Sequence, residues 1–211
     1  MTHGEAEAAK AERERDLDRL LTFVDAIVAI AITLLVLPLV ELTSDIFVAD
    51  SVADLLRDHV DELWSFGLSF YVIARLWQGQ HHAVSPLLVG TRRLTFLLVL
   101  WTFTIVVLPF PTALVAKAGE QGATKALYVG TMAASLLVVA AISAEVKARP
   151  ELTDGSVRPG PGSALVTAGL MVLALVLMLA VPATSYFPIL VLLADGPVIR
   201  LVHGLRNRTT T

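Results

Sequence analysis

The sequence predicts an all-α membrane protein of six transmembrane helices per subunit with both termini cytoplasmic, on three observations. Of its 211 residues, 55% are hydrophobic and only 17% charged, with a mean hydropathy of +0.73, far more apolar than a soluble domain of this size needs. Six runs reach the roughly 20 apolar residues that cross the hydrocarbon core of a bilayer. The basic residues gather in alternate connections, as the excess of Lys and Arg in cytoplasmic loops requires.

Residues 1–18 form a charged amino-terminal segment, and "HGEAEAAKAERERDLDR" reads as a solvent extension of the first span, frayed at its start. A cleaved signal is not expected, because the apolar stretch behind it is too long for an h-region. Span one covers 20–41. Span two, 63–83, is the least hydropathic, since it holds Arg75, Gln78 and Gln80. Span three, 93–115, ends in "LPFPTAL", where Pro109 and Pro111 should kink or close the helix. Span four, 124–145, leads into "VKARPELTDGSVRPGPG", 146–162, a solvated loop by its prolines, glycines and charges. Spans five and six, 163–181 and 186–203, complete a transmembrane domain over 19–206; the sixth is interrupted by Asp195, Gly196 and Pro197, and 207–211 is a tail.

With six spans, Lys10, Arg13, Arg15, Arg19, Arg92, Arg93, Lys147, Arg149, Arg158, Arg200, Arg206 and Arg208 all fall on one side. The opposite connections hold Arg57, Lys117 and Lys125, and the first of them is acidic through Asp45, Asp50, Asp54, Asp58, Asp61 and Glu62. Both termini are therefore expected inside.

Several function classes drop out. Cysteine is absent, which removes disulfide frameworks, thiolate metal sites and cysteine nucleophiles. A net charge of -3 with dispersed basic residues gives no nucleic-acid footprint. There is no GxSxG elbow, P-loop or glycine-rich dinucleotide turn, so neither an enzyme nor a cofactor is expected. His81 and His82 point about 100° apart on a helix and make a poor metal shell together, with no established ligand spacing beside them.

The first span divides into faces. At about 100° per residue from Asp25, the residues Phe23, Ile30, Leu34, Leu37 and Glu41 lie between about 120° and 180°. The stripe is apolar through the membrane and ends in a carboxylate, and a ring of such groups from several subunits would concentrate cations. Periodicity alone favours the simpler reading, in which Ile30, Leu34 and Leu37 pack on a neighbour or face lipid. Thr33 has a local alternative too, bonding a carbonyl of its own helix.

Asp25 lies off that stripe. A charge at this depth costs several kcal/mol unless paired. Span two brings Arg75, Trp77, Gln80, His81 and His82 to a similar level, so Arg75 or His81 and the Trp77 indole are the expected partners. That anchoring role is favoured over a proton relay, because spans two, three and five offer no acidic residue in the membrane to continue one.

Three segments together resemble the lysosomal potassium channel family and its short bacterial homologues, which lack the TVGYG filter. The family's RxxxFSD first-helix motif is matched by Arg19, Phe23 and Asp25, with Val24 in the serine position. Its second-helix pattern is matched by Ser69, Phe70, Trp77 and His81 in "SFYVIARLWQGQHH", with Gln80 in the place where relatives usually carry the histidine. A PFPT-like turn is matched by "LPFPTAL". The similarity covers roughly 19–115.

The resemblance implies a homotetramer whose first helices line the ion path. Ile30 would be the main hydrophobic constriction, with Leu34 and Leu37 narrowing the path outward, Thr33 as the polar contact nearest it and Glu41 at the outer mouth. Arg19, Phe23, Asp25, Arg75, Trp77, Gln80 and His81 would form the interhelical network that positions the pore helix, Arg75 replacing lost hydrogen bonds. The expected activity is a potassium-preferring cation channel in a prokaryotic plasma membrane, with K+ as permeant ion and the bilayer and monovalent cations as partners. The alternatives are a small proton-coupled transporter using Asp25 or Asp195, disfavoured by the lack of an internal repeat, and a membrane scaffold without transport.

Overall fold

The structure is a computed structural model and describes residues 3–42, 51–118 and 121–153. Spans five and six, Asp195, the tail at 207–211 and the loop beyond 153 lie outside the described residues, as do Asp45 and Asp50. The described residues are helical, joined by turns and one isolated bridge.

Helix α1, His3–Leu34, runs without interruption from the charged segment into the membrane span. At about 1.5 Å per residue its 32 residues reach about 48 Å, longer than the roughly 30 Å of hydrocarbon, so the amino-terminal part extends beyond the bilayer. It buries Leu17, Val24, Val28 and Ala31, and Leu35 beyond its end continues the ridge, at spacings of seven, four, three and four that keep one face toward the bundle. That face packs chiefly on α5, Arg92–Val107, and also touches α4, Val60–Val84.

The first span does not stay one helix to Glu41. Pro38 lacks the N–H that would bond Leu34, and its ring crowds that carbonyl. The chain tightens instead, with Leu35 N to Ile32 O at 3.3 Å and Val36 N to Thr33 O at 3.2 Å, and restarts as α2, Leu37–Glu41. The wheel drawn through the whole span therefore holds only as far as Leu34.

Helix α3, Val52–Asp58, is capped by Ser51, whose hydroxyl accepts from Asp54 N at 3.2 Å. Helix α4 covers the expected second span. It falls short of the apolarity of the other spans, and its buried face mixes Leu68, Val72, Ile73 and Leu76 with Ser65, Ser69 and Gln80. Three helical stretches among the described residues are long and apolar enough to cross a membrane: Ala11–Glu41, Arg92–Lys117 and Gly122–Ala148.

The third span breaks once. Pro109 and Pro111 each remove an N–H, and the helix is interrupted at Leu108 between α5 and α6, Pro109–Ala118. The prolines thus interrupt the span and do not end it, because proline is tolerated in the first turn of a new helix. Helix α7, Gly122–Ala148, packs on α5, α4 and α6 and supplies Tyr128, Val129, Met132 and Ile142 to the core. It runs past 145 into the segment expected to be loop. A 3₁₀ turn, Pro150–Leu152, then pairs with the connection between α4 and α5 through Leu88 N to Leu152 O at 2.9 Å.

Candidate pore face and interhelical anchor

On the face of α1 away from the bundle, Phe23 is 58% exposed, Ile30 57% and Leu34 40%, while Val24, Val28 and Ala31 are buried behind them. Among the described residues the predicted stripe is therefore left uncovered at Phe23, Ile30 and Leu34. Leu37, on α2, is 53% exposed as well. Thr33 is exposed beside the stripe, and its hydroxyl donates to Ile30 O at 2.7 Å. That bond occupies the proton and leaves the oxygen lone pairs free to accept or to contact a cation.

Glu41 ends α2, with its carboxylate 3.4 Å from Lys117 Nζ at the end of α6. Nothing in the sequence paired these two residues, which lie 76 positions apart.

The anchor lies near the other end of the span. Trp77 Nε1 donates to Asp25 Oδ1 at 2.8 Å, joining α1 to α4. His81 stacks against Trp77 one turn along, with ring centroids 5.6 Å apart and planes at 33°. Arg75 donates to Gln78 Oε1 at 3.0 Å. Gln80 is 1% exposed, and its Nε2 has no hydrogen-bond partner among the described residues. Arg19 is exposed on α1, in the charged stretch with Arg15 and Asp16. Val24, in the position of the family's serine, is buried as a core residue. His82 Nδ1 is 2.6 Å from Gln78 O, so its ring is engaged with its own helix. No group of three metal-ligating side chains comes together among the described residues.

Two polar clusters escaped the sequence reading. The first joins α4, α6 and α7: Ser69 Oγ and Tyr128 OH are 2.7 Å apart, Thr112 Oγ1 is 2.9 Å from Ser69 Oγ, and Ser65 Oγ donates to Thr112 O at 3.3 Å. All four residues are buried, so each bond replaces one that water cannot supply. The motif residues Ser69 and Thr112 thus meet each other. The readable signal was small hydroxyl residues one turn apart at 65 and 69, on the buried face of α4. The second cluster closes the other end of the bundle, where Glu145 is 3.3 Å from Arg93 Nε and 3.1 Å from Arg149 Nη2.

Residues 19–109 match the family of the endosomal/lysosomal potassium channel TMEM175. That stretch carries the TMEM175 family pattern. The matched stretch begins at Arg19, includes the Asp25–Trp77 anchor and stops where α6 begins, so Lys117 and Tyr128 lie beyond it. Among solved structures, the crystal structure of a lysosomal potassium-selective channel TMEM175 homolog from Chamaesiphon minutus resembles this chain with a TM-score of 0.64. The two are 23% identical over 91% of this chain and 98% of that one, and the likeness shows a shared TMEM175-type helical fold. No curated protein matches the chain.

Proposed function

We propose that this chain is the subunit of a homotetrameric, potassium-preferring cation channel in a prokaryotic plasma membrane, with six spans per subunit and both termini inside. Four copies of α1 line the path, Ile30 and Leu34 form its hydrophobic constriction, and Leu37 with Glu41 continues it to the outer mouth. The observation that carries the reading is the uncovered stripe on α1, apolar at Phe23, Ile30 and Leu34, on a helix whose opposite ridge is buried in the subunit. The TMEM175 match over the same helix supports it.

A ring of Ile30 side chains blocks ions by dewetting, because a hydrated cation gains no coordination there. Thr33 Oγ1 offers the nearest oxygen, and a few side-chain oxygens do not replace a hydration shell as an array of carbonyls does. Selectivity for potassium over sodium is therefore modest.

The test is flux in liposomes under a potassium gradient. Ile30→Ala is expected to raise passive flux on the order of tenfold, the equivalent of about 1.4 kcal/mol off the barrier. Flux that is abolished by Asp25→Asn, strictly dependent on a proton gradient and indifferent to Ile30 would overturn the channel reading in favour of a proton-coupled transporter.

A further inference from the structure

Two helices break on neighbouring elements, and the pieces beyond the breaks meet. Helix α2 begins after the Leu35–Val36 turn, and α6 begins after Leu108. They approach across a space of about 10 Å³ bordered by Pro38, Leu39, Ser65, Phe66, Thr112 and Ala116, too small for more than about one water. At their far ends Lys117 Nζ stands 3.4 Å from Glu41 Oε2, with the two side chains 70% and 69% exposed.

An ion pair this exposed contributes little to holding helices together. Its consequence is electrostatic. A carboxylate at a channel mouth raises the local cation concentration, and an ammonium a few ångströms away subtracts from that potential. The break at Leu108 lets α6 take its own course after α5 and deliver Lys117 to Glu41.

We propose that Lys117 is a conductance-setting residue: it pairs with Glu41 and partly cancels the negative potential that Glu41 presents to entering cations. The ligand is the monovalent cation itself, and Lys117 acts through the Glu41 carboxylate. This inference rests on the channel reading, in which Glu41 stands at the outer mouth.

The test uses the full chain in liposomes, with potassium uptake from the Glu41 side measured at about 10 mM and at about 1 M ionic strength, where the screening lengths are about 30 and 3 Å. Lys117→Gln is expected to raise uptake roughly two- to fivefold at low ionic strength and to leave it unchanged at high ionic strength. Glu41→Gln lowers uptake at low ionic strength, and Lys117→Arg keeps the wild-type value. Because the chain has no cysteine, Glu41→Cys with Lys117→Cys can be joined by a short bis-maleimide, each thiol adding across one maleimide double bond, without background labelling, which reports the α2–α6 approach independently of transport.

If the cross-link forms but Lys117→Gln conducts like wild type while Glu41→Gln conducts less, the assignment to Lys117 is wrong and the channel reading stands. If Glu41→Gln is also without effect, Glu41 is not at the mouth and the proposal falls. If the cross-link forms and no variant conducts, the channel reading falls and carries the proposal with it. Absence of the cross-link overturns the pairing outright.

Discussion

Asp25 shows how a single residue can draw attention for one role and serve another. An aspartate in an apolar span suggests proton chemistry, yet its carboxylate accepts the Trp77 indole N–H at 2.8 Å and joins two helices. The other two candidates go elsewhere. His81 lies one turn from Trp77 and stacks on it, whereas Arg75 sits about 160° away around α4 and turns to Gln78. Trp77→Phe keeps most of the ring and removes the donor, so it is expected to lower stability by about 1–2 kcal/mol, measured by thermal unfolding in detergent. The buried hydroxyl cluster predicts a similar effect. Tyr128→Phe leaves Ser69 with Thr112 as its remaining partner and should cost about 1 kcal/mol. Thr33 behaves differently, because its hydroxyl bonds only its own helix. Thr33→Val is expected to leave stability within about 0.5 kcal/mol while lowering potassium over sodium preference, read from reversal potentials in planar bilayers.

At the scale of elements, proline decides where the spans bend. Pro38 divides the first span and the Pro109–Pro111 pair divides the third, each by removing N–H groups from the ladder. The breaks give α2 and α6 courses of their own beyond α1 and α5. Pro38→Ala restores one donor and removes the ring clash, so the helix should continue through 35 and 36. The expected result is a change in which positions between 34 and 41 are reached by thiol reagents after single cysteine replacement, toward the spacing of an unbroken helix. Unchanged accessibility would show that packing on α4 and α6, and not Pro38, holds the turn. The hydrophobic runs were readable because apolar periodicity and length are local properties. The break at Pro38 was equally local but was overshadowed by the hydropathy around it.

For the whole molecule, the telling feature is how apolar surface is distributed. One ridge of α1 is buried against α5 and α4, and the other leaves Phe23, Ile30 and Leu34 uncovered. In the tetrameric reading that face meets three other copies of α1 instead of lipid. The tetrameric reading predicts four subunits by native mass measurement in detergent and mutual cross-linking of α1 helices through single cysteines placed near Ile30. A monomer that still conducts would place the path within one subunit and remove Ile30 from it.

The sequence by itself determined the helical membrane class, the limits of the second, third and fourth helical runs to within a few residues, the two faces of α1 and the family likeness, because each rests on local composition, on a period of 3.6 residues or on short motifs. Only the tertiary structure decided which partner Asp25 takes, that Ser65, Ser69, Thr112 and Tyr128 gather in one buried cluster, and that Lys117 reaches Glu41. Those pairings join residues 43 to 76 positions apart, and periodicity within one helix does not fix the rotation or the vertical offset of another against it. Helix packing and the breaks at Pro38 and Pro109 supply both.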